Sequence, residues 1–335
     1  MNNPSAQPAR TPCRKTLWVL FFILLALFAA SLGLNCAAIG LVSSSGGSAE
    51  GRDEFPNLTE KLSYGTPDGV KVVRIQLHGA IERVEESSFL SLPDRFTRLV
   101  RQIRAARQDS DVRAILLEVD SPGGGVTLSD ELYHELTLFR KSRDDRRIVA
   151  LAQDIAASGA YYACLPADKI VAQPTSIIGS IGVILSTVNA AGLAQKIGIS
   201  GVTIASGENK DLLNPLEPVS DEHVAILRAA VDQSYERFVS LVSEARSIPL
   251  KKLRPIADGR VFSADDALKH RLVDSIGYRE DALDTLKTLL GADELCVVSY
   301  SESISFFEAL AARPAWLPDL SALSAAPRPQ FLWRP

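Results

Sequence analysis

One hydroxyl in this chain is surrounded by almost nothing. Ser158 lies in Gln153-Asp154-Ile155-Ala156-Ala157-Ser158-Gly159-Ala160-Tyr161-Tyr162-Ala163-Cys164, just after the apolar run Ile148-Val149-Ala150-Leu151. Ala156, Ala157, Gly159 and Ala160 offer little bulk, which suits a nucleophile that a peptide backbone must approach closely. A strand, a tight turn and a helix starting at the serine follow the logic of a nucleophile elbow, although no G-x-S-x-G is present. Small-residue turns with a serine are more often plain turns or helix caps, so the chemistry depends on partners elsewhere.

The first partner is a base. The four histidines are His78, His134, His223 and His270. His134 and His223 fall in charged helical patterns, His270 ends one, and His78 follows a strand-like run. None comes with a partner constellation, so no Ser-His-Asp triad is indicated. A lysine can replace histidine in a Ser–Lys pair. It must be neutral, and bringing its pKa from ~10.4 to roughly 8 requires on the order of 3 kcal/mol of disfavoured charge. Partial burial away from carboxylates could supply that. Most lysines lie on charged helices or turns, whereas Lys210 sits in the loop Ser206-Gly207-Glu208-Asn209-Lys210-Asp211. Its neighbour Asp211 would keep it charged if the two paired.

The second partner is a site for developing negative charge. Asp120-Ser121-Pro122-Gly123-Gly124-Gly125 joins the apolar run Val112–Val119 to a helical pattern from Leu128 to Lys141. A strand, a Gly-rich turn and a helix start can present free backbone N–H groups to an anion. The turn lacks both the G-K-[ST] of a phosphate loop and the G-x-G-x-x-G of a dinucleotide fold. No cofactor is therefore expected.

The elements that must position these groups alternate along the chain. Strands are predicted at Val70–Leu77, 112–119, 148–152, 169–172, 183–188, 201–205 and 294–300. Helices are predicted at 89–108, 128–141, 158–165, 190–197, 221–246 (with Ser220 as N-cap) and 303–311. A further short helix follows a capping box at Ser263-Ala264-Asp265-Asp266. This pattern predicts an α/β domain with largely parallel pairing. Arg95, Arg98, Arg101, Arg104 and Arg107 recur every third residue and read as a solvated face rather than a docking stripe.

Composition bounds the setting. Of 335 residues, 46% are apolar and the net charge is −4, which suits a globular body and gives no reason to expect a nucleic-acid partner. Leu17–Val42 carries no charge and exceeds the roughly 20 residues that a membrane-spanning helix needs. Arg10, Arg14 and Lys15 precede it and acids dominate after it, so the N-terminus is predicted cytoplasmic and the body extracytoplasmic. The expected organisation is a tail at 1–16, an anchor at 17–42, a linker at 43–69, a catalytic domain at 70–290 and a C-terminal extension at 291–335. Cys13 falls in the cytoplasmic tail and Cys36 in the anchor, so only Cys164 and Cys296 are expected on the extracytoplasmic side, read as two buried thiols rather than a disulfide.

Several ordered motifs resemble signal peptide peptidase A. They are Asp120–Gly124, Ala157-Ser158-Gly159-Ala160-Tyr161-Tyr162, Gly179-Ser180-Ile181-Gly182-Val183, Ser206–Asp211, Ala257-Asp258-Gly259-Arg260-Val261-Phe262 and Leu272-Val273-Asp274. The resemblance covers about residues 70–290 and is to the short form, with one catalytic unit behind one anchor. It implies a fold of the Clp protease/crotonase type, built from repeated β-β-α units. It also implies a Ser–Lys endopeptidase acting on cleaved signal peptides and other short apolar peptides. Ser158 would be the nucleophile and Lys210 the base. Gly124 (or Gly123) and Gly159 would form the oxyanion hole, and Ser180 would orient the lysine. In short-form relatives neighbouring protomers of a homo-octamer supply the two halves of the dyad. Ala160 departs from the family's usual glycine. A Clp-type Ser-His-Asp peptidase would need a histidine where Ala172-Gln173-Pro174 stands. A non-catalytic scaffold or a crotonase-like acyl-CoA binder fits less well with the Ser158/Lys210 pair and the anchor.

Overall fold

The structure is a computed structural model that describes residues 18–19, 21–28, 31, 58–83, 94–302 and 330–332. The chain divides into two compact units, Met1–Glu54 and Phe55–Pro335. In the first, the described residues 18–19, 21–28 and 31 are helical and the rest of the predicted anchor lies outside the described residues. Among the described residues no helix is long and apolar enough to cross a membrane.

The second unit is an α/β fold on a mixed sheet. In chain order its strands are β1 (Leu58–Gly65), β2 (Val70–His78), β3 (Ala114–Ser121), β4 (Gly123–Gly125), β5 (Arg147–Ala157), β6 (Lys169–Ala172), β7 (Ile177–Gly179), β8 (Val261–Ser263), β9 (Ser275–Ile276), β10 (Leu295–Glu302) and β11 (Gln330–Leu332). The helices are α1 (Arg95–Gln108), α2 (Val126–Lys141), α3 (Gly159–Cys164), α4 (Ala191–Lys196), α5 (Asp221–Ala245), α6 (Leu250–Leu253), α7 (Ala264–Lys269) and α8 (Arg279–Leu290). The main sheet runs β1-β10-β2-β3-β5-β6-β9, with β7 on the second half of β5 and β8 on β7. Pairing is parallel except at β1–β10 and β7–β8.

The central strands are apolar because both faces are covered. In β3, Ile115, Leu117 and Val119 join the core that contains α1, α2 and α3, while Ala114 and Leu116 pack with Ala282 and Leu286 of α8. Glu118 shares the α8 face, where its buried carboxylate meets Arg74 at 2.6 Å and Arg279 at 2.7 Å. Ser220 and Ser263 cap α5 and α7 as predicted, accepting from His223 N–H (3.1 Å) and Asp266 N–H (3.2 Å).

Four expectations change. The strand β1 falls within the stretch read as a linker, and β10 of the supposed extension lies between β1 and β2. Residues 183–188 and 201–205 form no strand. The arginine face of α1 is not simply solvated, because Arg104 and Arg107 grip the buried Glu135 of α2 at 2.8 and 3.2 Å. The predicted helix 303–311 lies outside the described residues. Cys164 and Cys296 are both free thiols; burial pushes the Cys164 thiol up to about 12, and Cys296 is only partly covered.

Candidate active site

The site gathers at the carboxyl ends of parallel strands, where α/β sheets commonly place their ligands. Here β5 delivers Ser158 and β3 delivers the glycine turn, and the two ends meet at the pairing Ser121↔Ala156. Ser158 has φ 55° and ψ −120°, a left-handed conformation that a non-glycine residue adopts only under constraint. The constraint is visible. Its N–H donates to Gly179 O at 2.7 Å on β7, and its C=O accepts from Tyr162 N–H at 2.9 Å, starting α3. The backbone therefore turns sharply from strand to helix at the serine, which is 1% exposed. Gly159 follows as the first residue of α3, where backbone N–H groups have no partner within the helix.

The glycine turn is equally determined. Gly123 N–H donates to Ser121 Oγ at 3.2 Å, so its donor is already used. Gly124 runs beside Ile81, and a Cβ on Gly124 would lie 2.1 Å from the Ile81 carbonyl oxygen. Only glycine fits there. β4 and α3 approach each other closely, so the glycine strand lies against the helix that Ser158 heads.

Ser180 joins the same cluster. It is nearly buried, has φ 49°, directly follows the Gly179 that holds Ser158, and is pinned by Ser180 N–H to Arg260 O at 2.8 Å. Behind α3, Tyr162 Oη donates to Asp130 at 2.6 Å, and Arg237 of α5 binds the same carboxylate at 2.6 Å. Sequence reasoning missed the parts played by Ser121 Oγ and the Ile81 backbone. The D-S-P-G-G run already contained the first; the second depends on tertiary register alone.

Lys210 is placed differently. It lies in the short 3-10 turn Glu208–Asp211, exposed, and no hydrogen bond joins it to Ser158 or Ser180 within the chain. Nor does it pair with Asp211. That carboxylate accepts from Asn214 at 2.8 Å, and a hydroxyl bond from Thr203, followed by Asn214, holds it below the usual range. His78 sits beside Asp120 at 3.8 Å, on β2, with β3 between it and the Ser158 strand. Two strand spacings of about 4.8 Å keep it from serving as the base.

A family model for peptidase family S49 matches residues 140–293. A relative from Enterococcus faecium bearing the name signal peptide peptidase SppA is 34% identical over 251 residues, covering 75% of this chain and 72% of that protein. The chain belongs to peptidase family S49. Serine endopeptidase is the activity that this membership carries. The chloroplastic serine protease SPPA of Arabidopsis thaliana is 32% identical over 227 residues, 67% of this chain and 32% of its own. Among solved structures, a point mutant of ClpP1 from Listeria monocytogenes aligns with a TM-score of 0.42 at 15% identity, covering 63% of this chain and 94% of its own.

Proposed function

We propose that this S49 peptidase uses a Ser158–Lys210 dyad to cleave remnant signal peptides and other short apolar peptides outside the cytoplasmic membrane, anchored by residues 17–42. The observation that carries the dyad's nucleophile is the left-handed Ser158 at the strand-to-helix turn, followed by Gly159 at the head of α3, with the glycine strand β4 against the same helix. Ser158 Oγ attacks the scissile carbonyl while the neutral Lys210 amine takes its proton. The oxyanion is held by Gly124 and Gly159, where one donor is worth about 3–4 kcal/mol. The lysine then protonates the leaving amine, and water repeats the sequence on the acyl-enzyme to release the acid. Ser180 hydrogen-bonds the incoming amine and orients it.

The base comes from a neighbouring protomer in a homo-octamer. Two observations support this. Ser158 is buried and Lys210 exposed, without a contact between them in one chain. The segment around Lys210 also exposes Val188 (81%), Val202 (86%) and Ile204 (96%), apolar area of the kind that marks an interface. The signal-peptide substrate is supported by the name of the Enterococcus relative. Hydrolysis of a short apolar peptide should be abolished separately by Ser158→Ala and by Lys210→Ala, with the fold retained by circular dichroism. Unchanged turnover in either variant rejects the dyad.

A further inference from the structure

A continuous set of contacts runs from Ser158 to the turn that carries Lys210. It starts at Tyr162, one turn into α3, whose N–H donates to the Ser158 carbonyl at 2.9 Å. The Tyr162 ring is buried against Tyr133 of α2 and Phe238 of α5, with ring centroids at 5.5 and 5.0 Å. Its hydroxyl donates to Asp130 Oδ1 at 2.6 Å. The same oxygen accepts from Arg237 Nε at 2.9 Å and Nη2 at 2.6 Å, so α2, α3 and α5 meet on one carboxylate. Burial first, and the Asp130 carboxylate second, push the Tyr162 phenol well above its usual range, so it stays a donor. At the far end of α5, Glu222 of the first turn accepts from Asn209 at 3.1 Å. Asn209 directly precedes Lys210.

As a source of stability this cluster is weak. The Arg237 and Asp130 side chains are 55% and 37% exposed, and ion pairs that open to water contribute little. Phe238, Val239 and Val242 already hold the inner end of α5 in the core. What the cluster adds is direction, because a guanidinium fork fixes an orientation that a point charge does not. Arg237 stands where α5 leaves the core, and from there back to Asp221 is about 24 Å of helix at ~1.5 Å per residue. A tilt of about 5° at Arg237 moves the far end by about 2 Å, more than catalysis tolerates in a reacting group. We propose that Asp130, Tyr162 and Arg237 are positioning residues for the peptidase reaction. They set the angle at which α5 leaves the core, and so aim Lys210 at the nucleophile that receives it. The inference rests on the reading of Lys210 as the base. With the dyad shared between protomers, the cluster of one subunit governs turnover at the next.

The test uses the full chain and a fluorogenic apolar peptide. Asp130→Asn and Tyr162→Phe should each lower kcat about tenfold or more and keep KM within about twofold, since only the base is misaimed. Arg237→Lys, at the surface, gives the same test without touching the buried ring. It keeps the charge and loses the fork, so it should lose as much kcat as Asp130→Asn, whereas a merely structural ion pair would be restored by the lysine. Asp130→Asn combined with Asn209→Ala should lose little more than the worse single variant, because both act along one path. In Asp130→Asn, amide hydrogen exchange across residues 221–237 should quicken while β3 and β5 keep their protection. Wild-type kcat in Asp130→Asn, full activity in Arg237→Lys, or unchanged exchange in α5 overturns the proposal. Lys210→Ala separates the two readings. If that variant hydrolyses as the wild type does, the base assignment fails and takes the positioning role with it. If it is inactive while Asp130→Asn turns over at the wild-type rate, the positioning proposal fails alone.

Discussion

The end of β5 and the segment from Gly182 to Arg237 are opposites in physical character. Around Ser158 the neighbours Ala156, Ala157, Ala160, Tyr161 and Tyr162 are all buried, and three strands fix the backbone in a costly conformation. From Gly182 through Arg237, Ala194 is the single buried residue. The helix α5 spans both worlds: Phe238, Val239 and Val242 enter the core and Tyr235 packs against it, while the turns before Tyr235 hold no buried residue. A residue held at a left-handed φ costs about 1–3 kcal/mol and persists only where its surroundings over-determine it. The packed half can hold such a residue. The open half cannot define a position for Lys210 unless something else covers it. On the proposed dyad, the difference divides the site in two: the fold itself makes the nucleophile, and the base needs a second surface.

The largest effect expected from this contrast is in catalysis. Ser158→Ala and Lys210→Ala should each lower kcat by at least about 10³-fold, because the two residues act as one unit. If the base comes from a neighbour, co-refolding the two inactive chains in equal amounts should recover about a quarter of wild-type activity, one intact pairing in four. No recovery, in mixed oligomers confirmed by native mass, would place both groups of the dyad in the same chain.

The next effect is in stability and assembly. Phe238→Ala, at the packed end of α5, should cost about 3–5 kcal/mol of unfolding free energy. Ile204→Ser, in the open segment, should change the stability of a dilute protomer by less than about 0.5 kcal/mol. It should nevertheless shift the native mass toward smaller species. An Ile204→Ser chain that assembles normally would remove the interface argument; one that unfolds would show that the segment is part of the core.

What the sequence made legible follows the same division. The runs that became β2, β3, β5 and β6 are continuous or alternating apolar stretches covered within the chain, so pattern and structure agree. Residues 183–188 and 201–205 carry the same β-branched pattern and form no strand, because strand preference reports fit to a half-buried pleated surface, and here Val183 packs on the core while Ile184, Val188, Val202 and Ile204 are exposed. β1, with Glu60, Lys61 and Ser63 among its eight residues, has too weak a pattern to distinguish it from a linker. The motifs that carry Ser158 and Ser180 were readable locally; in the fold Ser158 is bonded to Gly179, the residue before Ser180, and β4 with Gly124 lies against the helix that Gly159 begins. That Ser121 Oγ takes the Gly123 N–H was not readable, since it depends on how the turn folds back on itself. Arg104 and Arg107 were misread because Glu135, which they grip, is supplied by another helix.

The smallest effect lies in acid sensitivity, and it separates two carboxylates that are both held low. Burial pushes Glu118 up, but hydrogen bonds from Arg74 and Arg279 overcome this and hold it below the usual glutamate range. Its folded pKa lies below the unfolded one, so its contribution is complete above pH ~4.5 and is lost as pH falls through the folded value. Asp211 is also lowered, by Thr203 and Asn214, yet it sits in the open turn that carries Lys210. Protonating it releases a loop, not a core. Glu118→Gln should therefore cost about 3 kcal/mol at neutral pH, by leaving two arginines short of their charge partner. It should also flatten the fall of Tm below pH ~4.5. Asp211→Asn should leave the whole Tm–pH curve in place. A shift from Asp211→Asn as large as that from Glu118→Gln would mean that the segment around Lys210 is folded as tightly as the strands around Ser158.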